Sequence, residues 1–298
     1  MARAALHAAF AVSDDLGAAL AEKLFVTPRT FARPERERGY LATARPFSVD
    51  VSLRSPGKRA RVQLSAWRWG FGPTVMLVHG WEGRGTQLGA FVQPLVEAGF
   101  SVVTFDAPAH GDSPGQRLYL TDLADTIGDV AAAVGPVHAI IAHSFGCAGV
   151  LLSRARADRL IFVAPNALVE DAPARFAKFL GLDESERIAL EARLVAHTGV
   201  PFEMLALDRL VANPDGAAPL LIIHDADDRE VPLAQGTRLA AAWPGGARLI
   251  TTTGLGHRRI LREPTVLAAA VAFAREGMPL PVSDLVREVD RHLDRSPL

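Results

Sequence analysis

The sequence predicts an α/β protein: a mostly parallel, doubly wound sheet flanked by helices, with an N-terminal β-hairpin and an inserted helical lid. Three observations carry this. Short apolar runs such as TVMLVHG (74–80) and VHAIIAHS (137–144) mark strands buried on both faces. Segments with helical spacing separate these runs, and such alternation calls for parallel strands joined by right-handed crossovers. Residues 166–219 break the rhythm, because the interval is too long for a simple crossover and its pattern is helical.

Taken in order, residues 1–26 have helical spacing through Leu6, Phe10, Leu16, Leu20 and Leu24. They read as one amphipathic helix and not as a signal peptide, because His7 interrupts the apolar run and Asp14–Asp15 stand where a cleavage site belongs. Residues 27–40, TPRTFARPERERGY, read as an extended connector. Residues 46–54 and 60–69 alternate apolar and polar positions around SPGK, the pattern of a β-hairpin. Strands then follow at 74–80, 101–108, 137–144, 159–165, 219–225 and 247–254. Helices are predicted at 88–100, 119–135, 145–155, 232–243 and 263–276, and within the insertion at 175–182 and 185–199. The expected division is an N-terminal extension (1–45), a core (46–165 and 220–298) and a helical lid (166–219).

Composition excludes several classes. With 298 residues and 49% hydrophobic content, the chain is long enough for a large apolar core. A net charge of −1 gives no electrostatic footprint for nucleic acid or for an anionic membrane surface. No apolar run is long enough to suggest a transmembrane helix. The single cysteine, Cys147, rules out an intramolecular disulfide and a Cys-rich metal site, and fits a reducing, cytoplasmic setting. The histidines lack zinc-motif spacing, and GWEGRG (80–85) lacks a nucleotide-binding pattern, so neither metal nor cofactor is expected.

The chemistry sits at strand ends. IIAHSFGCAG (140–149) reads as strand, sharp turn and helix, with Ser144 at the turn and small residues at positions 142 and 146. That is the shape of a nucleophile elbow, although a buried helix-capping serine has the same look. A serine nucleophile needs a base and an orienting carboxylate. Asp225, Asp227 and Asp228 follow one strand and His257 follows the last. Singly, the aspartates suit a solvated turn and the histidine a cap or core role. Their order after Ser144 favours catalysis. Oxyanion donors are expected from the backbone N–H of Phe145 and from that of Trp81, in HGWEGRG (79–85). Trp81 also suits a pocket wall or a packing position. His143 is expected to point away from the Ser144 hydroxyl and pack, and Cys147 to be buried and inert.

Together these segments resemble the α/β-hydrolase superfamily over about residues 46–278. HGWEG (79–83) is similar to its oxyanion loop, FDAPAHGDSPG (105–115) to its D-x-P-G-x-G-x-S segment, AHSFG (142–146) to the elbow, and GLGHRRI (254–260) to the histidine loop. Bacterial single-chain hydrolases with an N-terminal helical extension look most similar. In HDADDREVP (224–232) the resemblance places the acid four residues before Pro232, at Asp228, with Asp225 or Asp227 as runner-up. It leaves Asp106 and His110 as structural. Ala142 and Ala109 stand where the family has glycine, and Ser144 separates the chain from relatives that use an aspartate nucleophile.

The resemblance implies a serine hydrolase acting on a small carboxylic ester or thioester through an acyl-enzyme, without cofactor. Ser144, His257 and Asp228 form its triad. Lid residues Phe176, Phe179, Leu180, Leu194 and Phe202, with Trp81, are candidates for an apolar pocket, and lid packing explains them equally. Two alternatives use the same fold: carbon–carbon, amide or lyase chemistry by the same triad, and a non-catalytic ligand-binding protein. The N-terminal helix has two candidate partners, the parent domain and a second subunit.

Overall fold

The computed structural model describes residues 2–55, 58–153, 155–212 and 218–278. Its strands are β1 (Arg45–Ser55), β2 (Lys58–Trp69), β3 (Thr74–Val78), β4 (Ser101–Phe105), β5 (Val137–His143), β6 (Arg159–Val163), β7 (Leu220–Asp225) and β8 (Ala247–Thr252). They form one 8-stranded sheet in the order β1-β2-β4-β3-β5-β6-β7-β8. β1 and β2 pair antiparallel from Arg45 opposite Arg68 to Ser55 opposite Lys58. β2 pairs antiparallel with β4, and every later pairing is parallel. The predicted turn at Pro56–Gly57 lies outside the described residues, as do residues 279–298, which were expected in the core.

Alternation along the central strands builds two cores. Met76, Val78, Ile140, Ala142, Phe162 and Ile222 face one side. Val75, Leu77, Ile141, Ile161, Val163 and Ile223 face the other. Burial of both faces explains why these strands read as unbroken apolar runs.

The N-terminal helices are α1 (Ala2–Val12), α2 (Asp14–Val26) and α3 (Glu35–Leu41). Next come α4 (Val92–Glu97), α5 (Leu120–Val134) and α6 (Phe145–Leu152). The segment between β6 and β7 carries α7 (Ala172–Leu180), α8 (Glu184–Thr198) and α9 (Leu207–Val211). Last are α10 (Leu233–Ala242), α11 (Gly256–Arg259) and α12 (Pro264–Arg275). Helices α5, α6 and α10 cover the first face, and α4 and α12 the second. Among the described residues no helix is long and apolar enough to cross a membrane.

Three elements differ from expectation. The helix predicted over 1–26 breaks at Ser13, whose extended backbone (φ −165°, ψ 150°) and hydroxyl, accepting from the Leu16 N–H at 3.1 Å, start a new helix. The break turns Leu16 outward and buries Ala18, Ala21, Glu22 and Val26 instead. Gly17 lets the two helices cross, because a Cβ there would lie 2.2 Å from the Phe10 ring. The extended connector ends early, in α3, where Glu35 and Glu37 in the first turn and Arg38 in the last complement the helix dipole. The helix expected over 88–100 is a 3₁₀ turn at Gly85–Phe91 followed by the short α4.

A third apolar cluster lies outside the sheet. Leu6, Phe10, Ala18, Ala21 and Val26 from α1 and α2 pack with Leu180, Leu190 and Leu194 from α7 and α8, and with Tyr119. The chain before the hairpin and the segment between β6 and β7 therefore share one core.

Candidate active site

Ser144 sits between β5 and α6 with φ 54° and ψ −122°, a conformation that L-residues avoid. Its surroundings enforce it. The Ser144 N–H donates to the Val163 carbonyl at 3.1 Å, and the Ser144 carbonyl accepts from the N–H groups of Cys147 and Asn166. Gly146 allows the close passage, since a Cβ there would meet the His79 carbonyl at 2.5 Å. The chain makes a sharp strand–turn–helix at Ser144, and no side-chain capping bond from Ser144 to α6 accompanies it.

His257, in α11, places Nε2 2.9 Å from Ser144 Oγ and Nδ1 2.7 Å from Asp228 Oδ2. Asp228 also accepts through Oδ1 from the N–H groups of Glu230 and Val231. Burial pushes the Asp228 carboxyl up, but the contacts from His224 and His257 and the Val231 N–H outweigh it and hold the group below the ordinary carboxylate range. Ionised Asp228 accepts a hydrogen bond from Nδ1–H, which leaves Nε2 to accept from the Ser144 hydroxyl. The other aspartates do different work. Asp225 accepts from the Thr252 hydroxyl and from the Leu255 and Gly256 N–H groups, and Asp227 accepts from the Gly254 N–H. Both shape the turn that delivers His257.

Buried histidines brace this arrangement. His143 donates from Nε2 to the His257 carbonyl at 3.0 Å, and the two rings lie 4.6 Å apart. Burial, with the neighbouring His257 next, lowers the His143 pKa to about 3. The expected packing role thus includes fixing the backbone of His257. His79 donates to the Gly80 carbonyl and accepts from the Ala107 N–H. His110 donates to the Pro108 carbonyl and accepts from the Glu82 N–H. Burial brings both rings to a pKa of about 4, so both stay neutral and stitch the 79–85 loop to the 105–113 loop. Asp106 completes the stitch through the Gly85 and Asp112 N–H groups. Ala109 holds φ 63°, the left-handed conformation for which glycine is the usual choice.

The two expected oxyanion donors flank this loop junction. Phe145 is the first residue of α6, where a helix N–H has no intrahelical acceptor. Trp81 packs edge-on against Phe145, with centroids 5.7 Å apart, and edge-on against His110. The loop is also gripped from the N-terminal side. Arg29 donates to both carboxylate oxygens of Glu82 at 2.8 Å, and Arg84 donates to Glu37, which accepts from Thr86 as well.

A cavity of about 350 Å³ opens beside Ser144. Of the candidate pocket residues, Trp81, Phe176, Leu194 and Phe202 line it, and Phe145 lines it as well. Phe179 does not. It is 77% exposed and lies outside the cavity lining. Leu180 is buried in the third cluster and is not a cavity wall. The sequence reading missed Leu24, Phe25 and Val26 of α2, which line the cavity too. Their only signal was the continued apolar spacing at the end of the first helical segment. A larger cleft, about 620 Å³, lies between α5 and Ser52 and contains none of Ser144, His257 and Asp228.

An α/β sheet that carries a strained serine after β5, an aspartate after β7 and a histidine after β8 has a hydrolase-type architecture. A family model, the alpha/beta hydrolase family, matches residues 75–270. The chain belongs to the alpha/beta hydrolase family. Solved structures are similar throughout. A bacterial membrane phospholipase A is 22% identical, with a TM-score of 0.57 over 81% of this chain and 90% of that one. An esterase of Thermogutta terrifontis is 16% identical, with a TM-score of 0.56 over 76% of this chain and 98% of that one. An esterase of Pyrococcus furiosus is 16% identical, with a TM-score of 0.59 over 85% of this chain and 98% of that one. At these identities the likeness is one of fold. No curated protein matches the sequence.

Proposed function

We propose that the protein is a serine hydrolase that cleaves a small carboxylic ester or thioester through an acyl-enzyme on Ser144. The observation that carries this reading is the continuous chain from Ser144 Oγ through His257 to Asp228, at 2.9 and 2.7 Å, built on a serine held at φ 54°. Ser144 Oγ attacks the carbonyl carbon while His257 Nε2 takes its proton. Asp228 keeps the imidazole in the required tautomer and stabilises its protonated form. The Phe145 and Trp81 N–H groups receive the developing oxyanion. Collapse of the tetrahedral intermediate breaks the bond to the alcohol or thiol, which leaves with the proton from Nε2. His257 then takes a proton from water, whose oxygen attacks the acyl carbon; collapse breaks the bond to Ser144 Oγ, which receives that proton from Nε2, and releases the carboxylic acid. The esterases and the phospholipase among the similar structures support an ester as substrate.

Turnover of p-nitrophenyl acetate and butyrate tests the proposal. Ser144→Ala and His257→Ala should each lower kcat by about 10⁴-fold or more with the fold intact. Wild-type rates from either folded variant would refute it.

A further inference from the structure

The helix α2 lies far from Ser144 in sequence, yet its last turn faces the cavity beside it. Leu24, Phe25 and Val26 line that cavity together with Ser144. Phe25 meets Phe176 of α7 edge to face, with centroids 5.0 Å apart and planes at 89°. The wall therefore has two halves, one from before the hairpin and one from the segment between β6 and β7.

The cavity lies on one side of the reaction. An alcohol leaving group must reach His257 Nε2 to collect its proton. Yet the cavity is lined by Ser144, Phe145 and Trp81, and by no residue between Asp225 and His257. The space is therefore on the acyl side of the scissile bond. Its lining is chiefly carbon. The charged Arg175 on it is engaged, donating to the Leu168 carbonyl at 2.9 Å and to Asn166 Oδ1 at 3.4 Å. Such a space suits an uncharged apolar chain.

Phe25 is also anchored. Glu22, one turn before it and buried, accepts from the Tyr119 hydroxyl at 2.9 Å and from Arg193 of α8 at 2.7 Å. The Val26 carbonyl accepts from the Leu118 N–H at 2.9 Å. Arg3 of α1 donates to the carbonyls of Phe179 and Leu180, the last of α7. These bonds tie the first two helices to α7, α8 and the core at once.

We propose that α2 is the acyl-selecting wall of the site, and that Phe25, paired with Phe176, limits the length of the apolar acyl chain. The proposal rests on the serine-hydrolase reading of Ser144. The first two helices and the segment between β6 and β7 then act as one cap over the nucleophile.

The test is a p-nitrophenyl ester series from acetate to decanoate with wild type, Phe25→Ala, Phe25→Trp and Phe176→Ala. Fluorophosphonate labelling of Ser144 and the thermal midpoint are recorded for each protein. Phe25→Ala and Phe176→Ala should move the kcat/KM optimum to longer chains. Phe25→Trp should lower kcat/KM for the longer esters about tenfold or more relative to acetate, the scale of one methylene in an apolar pocket. Across acetate esters of longer alcohols, Phe25→Ala should move the optimum less than across the acyl series. Unchanged acyl profiles in folded Phe25→Ala and Phe25→Trp that label like wild type would overturn the proposal. So would a shift confined to the alcohol series. Wild type that neither labels nor turns over any ester would instead overturn the reading of the site beneath it.

Discussion

The sheet and the cap over it are built by opposite rules. In the sheet, each strand carries its own instructions: Val75 to Val78 is buried on both faces because neighbours on either side are apolar in the same alternation. In the cap, apolar faces are matched across distant segments. Leu6, Phe10 and Val26 of α1 and α2 pack with α7, α8 and Tyr119, from far along the chain, as well as with one another. The proposed reacting groups, Ser144, His257 and Asp228, sit on the first kind of structure. The proposed acyl wall sits on the second. On this proposal, chemistry is placed where geometry is rigid, and selectivity where it is assembled from distant parts.

The largest effect expected separates the aspartates of the sheet edge. Asp228→Asn should lower kcat by about 10⁴-fold, because the amide supports the wrong tautomer of His257. Asp225→Asn loses acceptors for Thr252 Oγ1, Leu255 N–H and Gly256 N–H, and should cost stability, about 1–3 kcal/mol, more than rate. Steady-state kinetics and urea unfolding on both variants check this. The reverse pattern would move the acid to Asp225.

Acid should weaken the core next. His79, His110 and His143 have native pKa values of about 4, 4 and 3, below the ordinary 6.5 of an unfolded chain. The unfolded state then binds more protons, so stability rises with pH across this window. It is intact above about pH 6.5 and falls toward pH 4, by up to about 1.4 kcal/mol per pH unit for each ring. Urea midpoints from pH 7 to 4.5 measure it, and a flat profile would contradict neutral buried rings.

The cap should respond more gently. Glu22→Ala removes the acceptor of Tyr119 and Arg193 and should cost about 1–3 kcal/mol. It should raise KM for long-chain esters while leaving kcat for acetate near wild type. Unchanged KM with lowered stability would separate the anchor from the pocket. The smallest effect belongs to Phe179→Ala, within about 0.5 kcal/mol and with unchanged acyl preference, since that side chain faces solvent. A shift in acyl preference there would return Phe179 to the pocket.

Legibility follows the same division. The strands at 74–80 and 137–144 are readable because burial on both faces leaves an unbroken apolar run. The small residues about Ser144 are readable because the close passage of strand and helix permits little else. Among Asp225, Asp227 and Asp228, spacing within the chain does not distinguish the partner of His257. The structure distinguishes them by which carboxylate the fold turns toward Nδ1, at 2.7 Å for Asp228. Nothing in the spacing of residues 1–26 singles out Glu22, because its partners Arg193 and Tyr119 arrive from elsewhere in the chain. Phe176 and Phe179 look equivalent in sequence, and only the docking of α7 onto α2 decides which of them faces inward.

The most direct test of the nucleophile is intact-mass analysis with peptide mapping after fluorophosphonate treatment of wild type and Ser144→Ala. The account predicts a single phosphonyl adduct on Ser144 in wild type and none in the folded variant. An adduct that persists in Ser144→Ala would contradict it.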